Sequence, residues 1–389
     1  RTYLTNLKLR ASWGITGNSA IEPYQTLGTL SQRQSYYYMN GSDVAFNIPD
    51  NFGNDHLKWE TTKATNIGID FGLFNNRVSG NIDIWSSSTY DLLYFKSAPP
   101  SSTYPSIIDN IGETKANGIE IGLNTDVIRN SFITYNINWS YSTFSDEVVA
   151  IGDGLTKNQF GRQAHIVGEP VSVFYDYEAD GNWDVGEFDD YLADWNTKNP
   201  DLTANYASGY GAPGTIKIVD QNNDGQLDDD DKITYNRSPK HILGMNNSLT
   251  VGQFDLSVLV YARLGGYLEY GMNSQLNFES ANWGDLDYWT LDNKGAKFPN
   301  PGSASSMHAT YGSALLYEEA NYVKIKDITL GYNLPLNALS TVGLSKVRVY
   351  GSLKNYFTFS SIDNYDPERG GSVNFPLAKQ LVFGLSVQF

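Results

Sequence analysis

Cysteine is absent from the chain, which removes disulfides, thiolate metal sites and cysteine nucleophiles together. No stretch approaches the roughly 18 consecutive apolar residues that a membrane-spanning helix needs. Histidine occurs only at His56, His165, His241 and His308. No H-E-x-x-H or G-x-S-x-G run accompanies them, so the common zinc-hydrolase and nucleophile-elbow patterns are missing. Carboxylate pairs abound, but no pattern around them marks a general acid. The sequence therefore carries no positive sign of an enzyme. Basic residues are scarce as well: 27 Lys and Arg against 43 Asp and Glu give a net charge of −16. That balance argues against a nucleic-acid partner, because phosphates must be neutralised by Lys and Arg.

Aromatic residues and glycine are plentiful. The 389 residues include 27 Tyr, 18 Phe, 8 Trp and 36 Gly. Aromatic side chains favour strands, and Tyr and Trp also favour membrane–water interfaces. With 40% hydrophobic and 18% charged residues, the chain is too apolar for disorder and too polar for a helical membrane protein.

The dominant pattern is strict alternation of apolar and polar residues. Ile133, Tyr135, Ile137, Trp139 and Tyr141 share one face, with Thr134, Asn136, Asn138, Ser140 and Ser142 on the other. Leu7, Leu9, Ala11 and Trp13 repeat the pattern, as do Ile67, Ile69, Phe71 and Leu73, and Phe254, Leu256, Val258 and Val260. It closes on Leu381, Phe383, Leu385, Val387 and Phe389. A strand of this kind separates an apolar medium from a polar one. Many segments, such as Leu57–Phe74, Arg77–Tyr94 and Ser131–Val148, exceed the roughly 9–11 tilted residues that cross a bilayer.

The links between strands sort into two kinds. Asn75-Asn76, Arg129-Asn130 and Gly252-Gln253 are very short, whereas 15–56, 96–107, 150–237, 269–317 and 359–377 are long. Short and long links alternate back from Phe389, with one moderately long link on the short side around Pro335–Leu344, as periplasmic turns and extracellular loops do in outer-membrane barrels. The expected fold is thus all-β, a transmembrane antiparallel β-barrel. About ten strands are expected, with Lys8, Arg10, Asp70, Asn81, Asp83, Glu120, Asn124 and Asp255 lining the polar side. The opening residues Arg1-Thr2-Tyr3-Leu4 show neither an initiator Met nor a signal peptide. The chain is therefore expected to be a fragment of a larger exported barrel.

Asp220 to Asp231 has the spacing of a calcium loop. Asp220, Asn222, Asp224, Asp228 and Asp231 offer side-chain oxygens at the ligand positions of such a loop, Gln226 offers its backbone carbonyl, and Gly225 permits the sharp turn. The last ligand position holds Asp instead of the usual Glu, and no helix pattern flanks the loop. The expectation is a structural Ca2+ clip, against the alternative of a solvated acidic turn. The surrounding segment 150–237 holds 17 acidic and 6 basic residues, read as the solubility of a large exposed loop. Gly209-Tyr210-Gly211-Ala212-Pro213-Gly214 matches a dinucleotide fingerprint but leads into a strand-like run. It is read as a glycine-rich loop. Trp183, Tyr206, Tyr210, Trp283, Tyr288 and Trp289 are loop aromatics, candidates for ligand contact or for packing of the loops themselves.

Several runs, taken together and in this order, resemble the SusC/RagA-like TonB-dependent transporters. They are Leu57–Thr62, Asn117–Ile121, Gly214–Lys217 leading into Asp220–Asp231, Asn321–Tyr332, Asn355–Thr358 and Asp366-Pro367-Glu368. The resemblance implies a 22-stranded type of barrel in the outer membrane of a Gram-negative, Bacteroidetes-type bacterium. This chain would be its C-terminal part, residues 1–389, without a plug domain. It implies import of oligosaccharides or peptides, with a SusD-like lipoprotein as lid and the TonB–ExbB–ExbD complex as energy source. A soluble glycan-binding β-protein is the alternative reading.

Overall fold

The computed structural model describes residues 3–19, 26–28, 30–39, 42–49, 53–97, 106–152, 154–270, 287–300, 310–335, 344–362, 366–370 and 377–389. The first strands are β1 (Leu4–Asn18), β2 (Leu30–Met39), β3 (Ser42–Pro49), β4 (Glu60–Leu73) and β5 (Val78–Ser97). β6 (Ser106–Arg129) and β7 (Ile133–Ala150) follow, then the short β8 (Lys157–Phe160), β9 (Gln163–Ile166), β10 (Val173–Tyr177) and β11 (Ala179–Asn182). A helix, α1 (Glu187–Lys198), precedes β12 (Ile216–Ile218), β13 (Lys232–Asn236), β14 (His241–Val251), β15 (Phe254–Leu264) and β16 (Tyr267–Glu269). β17 (Tyr317–Glu319), β18 (Tyr322–Asn333), β19 (Lys346–Ser360) and β20 (Gln380–Gln388) complete the order.

Ten strands form one antiparallel sheet in the order β1-β4-β5-β6-β7-β14-β15-β18-β19-β20. Each long strand lies beside the next long strand in sequence, the pattern of an up-and-down sheet. The strand count and the alternation of short and long links agree with the reading of the sequence. By compactness the chain divides into two units. One is Arg1–Asn124 with Ser142–Phe160 and Ala164–Val171; the other is Thr125–Tyr141, Gly161–Gln163 and Ser172–Phe389.

In the first unit, Ile69 stands opposite Leu9 and Ile82, and Ile67 opposite Ala11 and Ile84. These apolar side chains are bare: Leu9 is 73% exposed and Ile67 60%. In the second unit, Val349 faces Tyr332 and Leu385, while Leu330 faces Leu256 and Gly351. Phe383 is 77% exposed. An apolar face left open across strand after strand belongs against lipid, since water-facing proteins bury such area.

The opposite face is ionic. Arg10 Nε lies 2.9 Å from Asp70 and its Nη2 2.8 Å from Asp83, and Asn81 donates to Asp83 at 2.8 Å. A Cβ on Gly122 would come within 2.5 Å of Asn81 Oδ1, which places Glu120 and Asn124 on this same face by strand periodicity. In the second unit Arg348 Nε and Asn333 Nδ2 both donate to Asp255, each at 2.9 Å. Lys8 is aligned with Asp70, and Asp70 with Asn81. The expected polar lining therefore occupies one face within each unit.

The short links turn where expected. Asn75 and Asn76 adopt φ of 60° and 59°, a conformation Asn tolerates because its short side chain bonds locally. Asn130 Oδ1 accepts from the backbone N–H groups of Phe132 and Ile133 at 2.9 and 2.7 Å. The long links carry structure of their own. β2 pairs with β3, β13-β10-β9-β8 forms a four-stranded sheet, and β11 pairs with β12. α1 does not stand out in the acidic stretch around it, yet its logic is visible. Glu187, Asp189 and Asp190 sit in its first turn and Lys198 in its last, matching the helix dipole. Phe188, Tyr191 and Trp195 form its apolar stripe at helical spacing.

Candidate functional site

The connections from β7 to β14 and from β15 to β18 build a small globular body around an aromatic core. Trp183, Tyr210, Ile216, Ile218, Tyr311 and Ala314 form its buried centre. The Trp183 ring meets Phe188 at 5.1 Å and Tyr210 at 5.8 Å, both edge to face, the orientation favoured by ring quadrupoles. The Lys217 ammonium lies 5.0 Å from the Trp183 ring centre and 3.1 Å from Glu187, tying β12 to the start of α1. Trp195, on the far end of α1, is covered by the acidic loop. A Cβ on Gly225 would meet its ring at 2.6 Å, and Gly225 has φ +80°.

This core takes in Trp183 and Tyr210, with Tyr206 packed against it. Trp183, Tyr210 and Trp289 are 2%, 6% and 3% exposed, so in this structure they pack the loops. Tyr206 is half-buried, bonded to Tyr191 at 3.1 Å and to Asp220 at 3.2 Å. Burial foremost, with the Tyr191 hydrogen bond, pushes its hydroxyl pKa up. Tyr288 is 44% exposed. Trp283 lies outside the described residues. The glycine fingerprint resolves into packing: Gly214 has φ +80° and a Cβ there would strike the Trp289 ring at 2.6 Å.

The acidic loop is tightly wound. Asp220 accepts from the N–H groups of Asp224 and Gly225 at 3.2 and 2.9 Å, and Asn222 Oδ1 accepts from Asp224 N–H at 2.9 Å. Asp231 is fully buried and receives Gln221 N–H at 2.9 Å and Asp228 N–H at 2.8 Å. Burial pushes the Asp231 carboxyl above its ordinary pKa, against those N–H bonds, and the Asp220 charge pushes the same way. Among the described residues no group of three or more His, Cys, Asp or Glu side chains is placed to hold a metal ion. The donor set is nonetheless all oxygen, the ligand type that hard cations take. Two of the histidines have tyrosine partners: His165 Nδ1 bonds Tyr94 at 3.0 Å and His241 Nδ1 bonds Tyr141 at 2.9 Å.

A second ionic cluster lay in two separate motifs of the sequence. Lys324 is wholly buried, and its ammonium donates to both oxygens of Asp366, at 2.7 and 2.6 Å, and to Glu368 at 3.0 Å. Lys326 pairs with the other oxygen of Glu368. The Asn321–Tyr332 strand and the Asp366-Pro367-Glu368 turn are thus two halves of one clamp. Burial pushes the Glu368 carboxyl up, but Lys326 and Lys324 outweigh it and hold the carboxyl below its ordinary value.

Comparison with known proteins places this architecture. Residues 2–213 match the family model described as TonB dependent receptor-like, beta-barrel. The chain is 32% identical over 377 residues to TonB-dependent receptor P3 of Formosa agariphila, covering 94% of this chain and 36% of that protein. It is 28% identical over 410 residues to TonB-dependent receptor SusC of Bacteroides thetaiotaomicron, covering 99% of this chain and 38% of that one. The RagAB peptide transporter has a similar fold: TM-score 0.77 at 22% identity, over 100% of this chain and 41% of that one. The chain spans roughly two fifths of the length of each of these proteins.

Proposed function

The chain belongs to the TonB-dependent receptor-like β-barrel family, and from that membership we propose that it supplies the C-terminal strands of an importer of oligosaccharides or peptides. Its place is the outer membrane of a Gram-negative bacterium. The observation that carries the import reading is the ten-stranded sheet, whose strands within each unit are bare and apolar on one face and ionic on the other. Such a sheet parts lipid from a polar passage. The same exposed apolar face disfavours a soluble glycan-binding protein. In this reading a SusD-like lipoprotein covers the outer mouth and the TonB–ExbB–ExbD complex supplies the energy. Exposed Tyr288 and half-buried Tyr206 are the described loop aromatics that would touch the ligand.

The test is uptake by living cells. Deleting the intact gene is expected to abolish entry of one class of fluorescent oligomer, oligosaccharide or peptide, and deleting ExbB is expected to do the same. Undiminished uptake in both strains would overturn the reading.

The acidic loop is part of the proposal as a calcium clip. Asp220, Asn222, Asp224, Asp228 and Asp231, with Gln226, would hold the ion, whose charge would offset the crowding of the carboxylates. Because Asp231 has a raised pKa in the folded state, its penalty is absent below its unfolded pKa. Stability is lost as pH rises through the folded value. Added Ca2+ is therefore expected to raise the melting temperature more at pH 7 than at pH 4, and chelation to lower it. A melting temperature indifferent to both would remove the clip.

A further inference from the structure

Within the second unit, a cavity of about 510 Å³ is walled by Gln163, Ser172, Arg237, Arg263, Tyr267 and Glu269, among others. Arg237 is fixed in this wall. Its backbone N–H donates to Ser172 O at 3.0 Å and its Nη1 to Gln163 Oε1 at 3.0 Å. Its guanidinium lies 4.7 Å from the centre of the Phe174 ring. Arg263 stands beside it and donates from Nη2 to the Arg237 carbonyl oxygen at 3.4 Å. The Arg263 Nε is buried and, among the described residues, has no hydrogen-bond partner.

Two cations thus share one cavity, and among the described residues neither forms an ion pair with a carboxylate. The acidic groups around them are engaged elsewhere. Glu269, in the cavity wall, is paired with Arg162. Asp366 and Glu368 are held by Lys324 and Lys326, and Glu178 accepts from Gln221 at 2.8 Å. In a chain of net charge −16, such a pocket is a local reversal of sign. A guanidinium presents paired N–H donors that match the two oxygens of a carboxylate, and a buried donor without a partner is costly until one arrives.

We propose that this cavity binds a carboxylate carried by the imported oligomer, with Arg263 and Arg237 as its counter-ions. The proposal rests on the import reading and narrows it to acidic cargo. The carboxylate has two sources, a uronic acid of an oligosaccharide or the terminus or side chain of a peptide.

The experiment is calorimetric binding to the intact transporter in detergent. The probes are trigalacturonic acid against its methyl ester, and a tetrapeptide with a free C-terminus against its amide. One of the two acids is expected to bind about tenfold more tightly than its neutral derivative, and which one identifies the source. Arg263→Gln is expected to erase that difference. Arg263→Lys keeps the charge without the paired donors and is expected to restore part of it. Equal binding of acid and neutral forms for both probes would overturn the proposal. So would an acid preference that survives in a folded Arg263→Gln, Arg237→Gln double variant. If deletion strains still import every oligomer, the import reading fails instead, whatever the calorimetry gives.

Discussion

Replacing Ile67 by Arg is expected to destabilise the folded protein by about 2–4 kcal/mol in a lipid bilayer. Ile67 lies near the middle of β4, between Ala11 and Ile84, and is 60% exposed. If that face met water, the same substitution would be nearly neutral, within about 0.5 kcal/mol, because an exposed Ile makes few contacts to lose. Against hydrocarbon the guanidinium has no partner and must be dragged toward the interface. A control sits three residues earlier on the opposite face. Ala64 is exposed, is aligned with Gly14 and Ser87, and Gly14 has open space where its Cβ would be. Ala64→Arg is expected to cost less than about 1 kcal/mol, since that side of the strand is polar. Unfolding in urea from lipid vesicles measures both. Equal costs for the two variants would sink the assignment of faces.

Faces and strands were readable because both are local. A period of two needs only the next few residues, so β4, β7, β15 and β20 stood out, and with them the positions of Arg10, Asp70, Asp83 and Asp255. The resemblance to SusC/RagA-like transporters, drawn from motifs scattered along the chain, agrees with the family match and with SusC among the similar proteins. What escaped the sequence is non-local. For Trp183 and Trp289 the sequence left ligand contact and loop packing both open, and the packing that buries them includes segments distant in sequence. Asn182 reaches the carbonyl of Ala296 at 2.7 Å, and Asn300 N–H reaches Gly214 O at 2.8 Å. The aromatic stripe of α1 was hidden by its acidic neighbours. The arginine pair at 237 and 263 has no spacing signature at all; only folding brings it together.

Lys324 is the other such case, and Lys324→Met is expected to be the most disruptive single change in the second unit. The ammonium is 0% exposed, with Asp366 and Glu368 only 12% and 23% exposed around it. Removing one member of a buried ionic cluster leaves the others without their counter-charge, an effect of about 3–5 kcal/mol when burial is complete. Here the two carboxylates keep some water and Lys326 still holds Glu368, so about 3 kcal/mol is the expected loss. Adding Asp366→Asn to Lys324→Met removes one orphaned charge and is expected to recover part of it. The acid side of the stability curve is a second readout. The Glu368 pKa is lower folded than unfolded. Its contribution is therefore complete above the unfolded value and lost as pH falls through the folded one. Without Lys324 the Glu368 pKa moves back toward its ordinary value, so the variant's stability is expected to fall less steeply on acidification than the wild type's. Thermal unfolding of both proteins between pH 3 and pH 7 separates the outcomes. A variant with wild-type midpoints throughout would mean that the turn at Pro367 is held locally, by the Asp366 carboxylate accepting from Glu368 N–H at 3.0 Å, and that the clamp adds nothing.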